Sequence, residues 1–242
     1  MSLIFAIGDI HGSLRKLQSL VVRCEKYRDG RPATFVFLGD YVDRGPQSAG
    51  VIAYLLDLQA RLPEQIVTLM GNHEASALEV IDGTVPADHW LEQGGLETLR
   101  SYGVRSPSDL PDAHVDWLRS LPPSYDDGRR FFVHAGIDPD KPFNAQRDTD
   151  LFWIREPFLS DRRDYGRLIV HGHTPTNGRK PDLRTNRLNI DTGAVFGGPL
   201  TAAVLATQKS SRSRLFRPIE ARFPAILDLR QSVAGPKGQR SP

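Results

Sequence analysis

Cysteine is almost missing from this chain: Cys24 is the only one in 242 residues. A lone thiol excludes an internal disulfide framework and a cysteine-type structural zinc site, and it fits a reducing compartment. Long apolar runs are missing too, and no stretch approaches the roughly 20 residues needed to cross a bilayer. Met1-Ser2 leads directly into Leu3-Ile4-Phe5-Ala6-Ile7 and then Asp9, without the basic and apolar regions of a secretion signal. The expectation is a cytoplasmic protein with no membrane partner. Strong net charge is the third absence, the total being only +2. From Thr207 onward eight Lys/Arg face Glu220 and Asp228, a balance of +6, which leaves −4 on the first 206 residues. An acidic body suits bound divalent cations. The basic tail has scattered charges, so it reads as a solvated extension and not as a nucleic-acid surface.

What is present is an ordinary globular composition, with 25% charged and 39% apolar residues. One unit recurs along it: a short apolar run, a glycine nearby, then a polar residue able to ligate a metal. Leu3 to Ile7 leads into Gly8-Asp9-Ile10-His11-Gly12. Thr34 to Leu38 leads into Gly39-Asp40-Tyr41-Val42-Asp43-Arg44-Gly45. Gln65 to Met70 leads into Gly71-Asn72-His73-Glu74. Arg130 to Val133 leads into His134-Ala135-Gly136, Leu168 to Val170 into His171-Gly172-His173-Thr174, and Leu188 to Ile190 into Asp191-Thr192-Gly193.

Between the early runs the apolar spacing is helical. Ser13 is placed to cap a helix over Leu14–Tyr27, with Leu14, Leu17, Leu20, Val21 and Cys24 on one face. Pro46 opens a second helix through Leu58. Strands alternating with helices predict an α/β core with a largely parallel sheet, whose ligands gather at the carboxyl ends of the strands. Residues 75–123 read as a helical insertion beside the site, packed through Trp90, Leu91, Leu96, Leu99, Trp117 and Leu118. Thr149–Phe158 reads as a short helix and its exit, and Leu200–Ala206 as a buried strand. The expected organisation is one catalytic domain over 1–234, with 235–242 a disordered tail.

Asp9, His11, Asp40, Asn72, His134 and His173 supply oxygen and nitrogen donors without thiolate. That set suits manganese, iron or zinc better than calcium or magnesium alone. Six ligands exceed the need of one ion with an open position, so two ions sharing one carboxylate fit better. Asp40 is the natural bridge, because its strand is expected between the other two early ones. Two cations roughly 3.5–4 Å apart can bring a shared water's pKa towards neutrality and hold it for in-line attack. Arg44 adds a planar cationic fork suited to phosphate oxygens. Singly, each residue has a plainer reading, Asn72 as a helix cap and each histidine as a satisfied polar group. Five of the seven histidines fall in these motifs, whereas His89 and His114 lie outside the pattern and read as ordinary residues. His171 is read as supporting the ligands from behind.

The three early motifs resemble the signature motifs of the PPP-type serine/threonine protein phosphatases, within the calcineurin-like metallophosphoesterases. His134-Ala135-Gly136 and Gly172-His173-Thr174 resemble that family's later metal-histidine motifs. The likeness spans Leu3 to Leu205 and is strongest to the compact bacterial and phage lambda-type enzymes. It implies an α/β sandwich of αββα type, two packed mixed sheets flanked by helices. It also implies Asp9, His11 and Asp40 on one metal, and Asp40, Asn72, His134 and His173 on the other, typically manganese. His73 is then the proton donor to the leaving alcohol, Asp43 orients its ring, and Arg44 and Arg155 bind phosphate. The implied substrate is a phosphorylated protein, on serine or threonine and potentially on tyrosine.

Two rivals remain open. A symmetrical diadenosine tetraphosphate hydrolase would share the metal chemistry. Asp43 argues against it, because those enzymes usually differ there and an anhydride leaving group has less need of an acid. A non-catalytic metal-binding scaffold would show decay of the acid or the phosphate clamp, and both are intact.

Overall fold

The computed structural model describes residues 2–206 and 217–221. The basic tail lies outside the described residues except for 217–221, and the segment 235–242 lies wholly outside them. Among the described residues ten strands form two five-stranded sheets. In the first, β1 (Leu3–Ile7), β2 (Ala33–Phe37) and β3 (Ile66–Thr68) run parallel, and β9 (Leu200–Ala206) and β10 (Arg217–Ala221) extend it antiparallel, in the order β10-β9-β1-β2-β3. In the second, β5 (Arg130–Val133), β6 (Leu168–His171) and β8 (Arg187–Asn189) are parallel. β4 (Ser124–Asp126) and β7 (Asp182–Leu183) close its edges antiparallel, giving β4-β5-β6-β8-β7.

The residue spacing of two explains why the sheets stack. Ile4 and Ala6 of β1, Val36 of β2, Phe132 of β5, Val170 of β6 and Ala203 and Leu205 of β9 join one buried cluster with Leu188 of β8. Their neighbours of opposite parity, Leu3, Phe5, Ile7, Phe35, Phe37, Phe131, Val133, Ile169 and Val204, belong to a second cluster with the helices. Alternate side chains point to opposite faces, so a strand apolar at every position is covered on both. One face meets the other sheet and the other meets helices. The mostly parallel single sheet expected from the strand–helix alternation is therefore replaced by two mixed sheets, since the later strands are too short and too uniformly apolar to announce a separate layer.

The helices follow their apolar stripes. Helix α1 (Leu14–Arg28) buries Leu17, Leu20, Val21 and Cys24, and ends at Asp29 in the left-handed conformation. Ser13 stands at its N-cap, but its side chain makes no capping bond; the hydroxyl turns back to the His11 carbonyl oxygen at 3.5 Å. Helix α2 (Ser48–Arg61) begins two residues after Pro46 and buries Val51, Ile52, Leu55 and Leu58. Helix α3 (Asn72–Ile81) follows β3. The segment after it holds α4 (Asp88–Trp90), a kinked turn over Leu91–Gly95 with Gly94 at φ 117°, α5 (Leu96–Tyr102) and α6 (Asp112–Arg119). Trp90, Leu99, Trp117 and Leu118 are buried as expected, whereas Leu96, two residues after the kink at Gly94, is 41% exposed. Helix α7 (Asp148–Trp153) comes from the second sheet's side. Among the described residues no helix is long and apolar enough to cross a membrane.

Candidate metal and phosphoester site

Parallel pairing of β1, β2 and β3 sets their carboxyl ends side by side, with β2 in the middle. Asp9, Asp40 and Asn72 leave those three ends, and Asp40 lies between the other two. The second sheet supplies His134 after β5 and His173 after β6, linked where the Gly172 amide donates to the His134 carbonyl at 2.8 Å. The site thus sits where the ends of both sheets meet, and every expected metal ligand is buried, from His134 at 0% to His173 at 9% exposed.

The turns that aim these side chains are conformationally demanding. Of seven non-glycine residues at positive φ among the described residues, five are His11, Asp40, Asp43, Arg44 and His173. Such backbone is uncommon away from glycine and persists where surrounding contacts over-determine it. Here the first two loops interlock. A Cβ on Gly45 would lie 1.9 Å from the His11 carbonyl oxygen, so only a glycine permits this approach. Gly12 donates to the Tyr41 carbonyl at 2.9 Å, and Gln47 donates back to the Gly12 carbonyl at 3.2 Å. Glu74 holds the second loop from below: its two carboxylate oxygens accept the amides of Asp40, Tyr41, Val42 and Gly71 at 2.7–3.1 Å. Burial and then Asp40 push its carboxyl up to about 8, against those amide donors, which favour the anion.

The ring orientations suit metal ligation. His11 Nδ1 pairs with the Val42 carbonyl at 2.8 Å and His134 Nδ1 with the Leu38 carbonyl at 2.9 Å, so in each the Nε2 lone pair faces the site. Asp40 receives both, with Oδ2 3.3 Å from His11 Nε2 and Oδ1 3.3 Å from His134 Nε2. Asn72 Oδ1 lies 2.8 Å from His134 Nε2 and 2.9 Å from His173 Nδ1. Among the described residues two triads have donor atoms within 4.8 Å of one another: His11, Asp40 and His73, and Asp40, His134 and His173. They share Asp40. Asp9 enters neither triad; its carboxylate accepts the His173 amide at 3.0 and 3.2 Å.

Electrostatics point the same way. Burial alone would raise the Asp40 carboxyl, but His134, His73 and His11 hold it well below the usual range. Asp9 is raised well above it by burial, by Asp191 and by Asp40. Burial also brings the Asp191 carboxyl up to about 6. Burial takes His173 down to about 3, with His134 adding to the shift, so its ring is neutral and able to donate a lone pair. Three crowded, buried carboxyl groups beside the neutral His173 ring form a donor set that divalent cations would satisfy.

Beside the triads lies a second constellation. Asp43 Oδ2 accepts His73 Nδ1 at 2.7 Å and Trp90 Nε1 at 2.9 Å, while Oδ1 accepts the Thr98 hydroxyl at 2.7 Å. The Asp43 amide donates to the Thr98 oxygen at 2.8 Å and the Ser48 oxygen at 3.2 Å. All of these residues are buried. Arg44 Nη1 donates to His11 Nε2 at 2.7 Å, and its amide donates to the Gly94 carbonyl at 3.2 Å. Arg155 follows α7, is exposed, and shares the cleft with Arg44, Asp40, Asn72, His73 and His173.

The fold therefore gathers all ten sequence-nominated site residues at one location. His89 corrects the sequence reading: it lines the cleft with Ser76, Trp90, Gln93 and Trp153, carried there by the helical segment that follows α3. His114 is set apart from it, paired with the Tyr102 hydroxyl at 2.7 Å. His171 is buried against Phe158 with ring centroids 5.0 Å apart and enters neither triad. Trp90, Thr98 and Glu74 are supports that sequence reasoning missed. Only Glu74 carried a local signal, its place three residues after Gly71 at a helix start.

Comparison with known proteins agrees with this geometry. The chain is 32% identical over 224 residues to the asymmetrical bis(5'-nucleosyl)-tetraphosphatase PrpE of Geobacillus thermodenitrificans, covering 81% of this chain and 87% of that one. It is 30% identical over 208 residues to serine/threonine-protein phosphatase 1 of Salmonella typhimurium, covering 83% and 90%. A crystal structure described as a candidate diadenosine tetraphosphatase superposes with a TM-score of 0.65 at 22% identity, covering 90% of this chain and 93% of that one. The sequence profile of the calcineurin-like phosphoesterases matches residues 2–199. That family works through a dinuclear divalent metal centre, and the two triads sharing Asp40 are groups able to bind metal. The chain belongs to the calcineurin-like phosphoesterase family and is a hydrolase of the metallophosphoesterase type.

Proposed function

We propose that this phosphoesterase acts on phosphorylated serine and threonine of proteins, with tyrosine as a further acceptor, and uses manganese. Asp9, His11 and Asp40 would hold one ion, and Asp40, Asn72, His134 and His173 the other. Bound there, divalent cations supply Lewis acidity and an acidified water. The chain's own residues do the rest. Arg44 and Arg155 clamp the non-bridging phosphate oxygens, matching charge as it redistributes. His73 Nε2 gives its proton to the leaving alcohol oxygen as the P–O bond breaks, while Asp43 holds Nδ1 and stabilises the imidazolium.

The observation that carries this reading is the enclosure of Asp43. A buried carboxylate held by Trp90, Thr98 and His73 is an investment in one ring orientation. An alcohol leaving group needs that proton, whereas the nucleotide released from an anhydride needs it far less. The second reading, hydrolysis of a dinucleoside tetraphosphate, draws on the names of the PrpE relatives. Those relatives are of the asymmetrical type, a variant distinct from the symmetrical rival that the sequence motifs suggest.

Manganese-loaded protein assayed side by side on phosphoserine, phosphothreonine and phosphotyrosine peptides and on diadenosine tetraphosphate tests the choice. The expected outcome is a higher kcat/KM on a phosphopeptide. Preference for the dinucleotide by orders of magnitude replaces the first reading with the second.

A further inference from the structure

Among the described residues, the large hydrophobic side chains left exposed are Val22, Val85, Leu96, Trp153, Leu183 and Phe196. Only two are aromatic, and both stand beside the cleft. Trp153 lines it. Phe196, 54% exposed, lies one guanidinium further out, with Arg44 Cζ 5.6 Å from its ring centroid. Single exposed apolar residues are common and need no explanation. Phe196 differs because its turn is built to hold it. Its amide and that of Gly198 donate to the Gly193 carbonyl at 3.0 and 2.9 Å. Lys16 reaches over from α1 to donate to the Ala194 and Gly198 carbonyls at 2.6 and 2.7 Å.

A second guanidinium flanks the turn. Arg179 lies across Gly197, where a Cβ would stand 3.4 Å from its Nη1. Among the described residues neither Arg44 nor Arg179 has a carboxylate within ion-pair range. A pinned, exposed ring against the Arg44 guanidinium, with Arg179 beside the adjoining Gly197 and neither arginine ion-paired, matches a planar base joined to a chain of phosphates: the ring stacks and the arginines take phosphate oxygens.

We propose that Phe196 and Arg179 form a subsite for the base and outer phosphates of a nucleoside polyphosphate, outside the cleft that holds the reacting phosphate. This rests on the phosphoesterase reading of that cleft and extends its nucleotide variant. Phe196 and Arg179 then determine specificity without touching the reacting atoms.

The test is calorimetric binding of β,γ-methylene ATP and of tripolyphosphate to the full manganese-loaded chain. Phe196→Ala should weaken the methylene analogue about tenfold and tripolyphosphate less than twofold, because only the former stacks. Phe196→Trp should restore the analogue. Arg179→Gln should weaken both ligands about fivefold. Equal wild-type affinity for the two ligands overturns the proposal, as does a Phe196→Ala loss that is the same for both. A larger loss on a phosphopeptide than on the analogue also overturns it. Failure of the phosphoesterase reading shows separately, as absence of phenyl phosphate turnover by the metal-loaded wild-type protein.

Discussion

Asp9, Asp40 and Asn72 follow three strands that lie side by side, so the sheet order alone makes them neighbours in space. Trp90 and Thr98 reach the same cleft from a helical segment, 47 and 55 residues beyond the Asp43 that they hold. The first group is set by short-range geometry at strand ends, and each member carries its own local signature. The second depends on how an insertion folds back over the loops, and none of its members does. The difference teaches that the proposed metal ligation and the proposed acid catalysis draw on separate supports, which should fail separately.

The largest effect should come from the strand ends. Asp40→Ala removes the carboxylate shared by both triads, and kcat/KM should fall by about 10³ or more, since several kcal/mol of metal assistance are lost. Elemental analysis should find metal content reduced alongside; full occupancy of two ions would contradict the shared-ligand assignment. His73→Ala should cost about 10²–10⁴ on an alkyl phosphoester, the range for loss of a positioned acid. An ester with an acidic phenol leaving group should lose much less, and equal losses on both substrates would remove His73 from the role of proton donor.

A smaller and more selective loss should follow from the insertion. Trp90→Phe keeps a ring in the packed site but removes one donor from Asp43, a change worth about 1–3 kcal/mol. We expect roughly a tenfold fall in kcat on alkyl esters, little change on aryl esters, and unchanged metal content. Metal loss in step with activity would erase the distinction between the two supports.

The smallest effect should lie outside both. Asp150 in α7 pairs with Arg147 at 3.1 Å and Lys141 at 2.6 Å, and Arg147 above all holds its carboxyl below the usual range. A depressed folded value gives stability that is fully present above the unfolded carboxylate pKa of about 3.9 and is lost as pH falls through the folded value. Because the Arg147 side chain is 70% exposed, solvent screening keeps the pair's contribution small. Asp150→Asn should therefore lower Tm by a small margin at pH 7, with the gap narrowing towards pH 3. A gap that widened on acidification would reverse the sign of this argument.

The sequence was most readable where chemistry and local structure coincide. An apolar run, a glycine and a ligand-type side chain locate Asp9, Asp40, Asn72, His134 and His173 because each strand end is specified within a few residues. The second sheet was hidden, since Phe132 and Val170 look alike whether they face a helix or another strand. His89 was hidden for a related reason: its neighbours announce a helix but not where that helix lands. Ser13 shows the opposite error. Its residue type and position suit a cap, but its hydroxyl turns to the preceding loop.

The absence of a side chain at Gly45 has a further consequence. With the His11 carbonyl filling the space where that side chain would be, the first and second loops are threaded against each other and neither can peel away alone. Amide protons at Gly12 and Gln47, which bond across the contact, should therefore exchange with solvent in a single concerted opening. These two loops then come apart as one unit, and a change tolerated in one is tolerated only if the other moves with it.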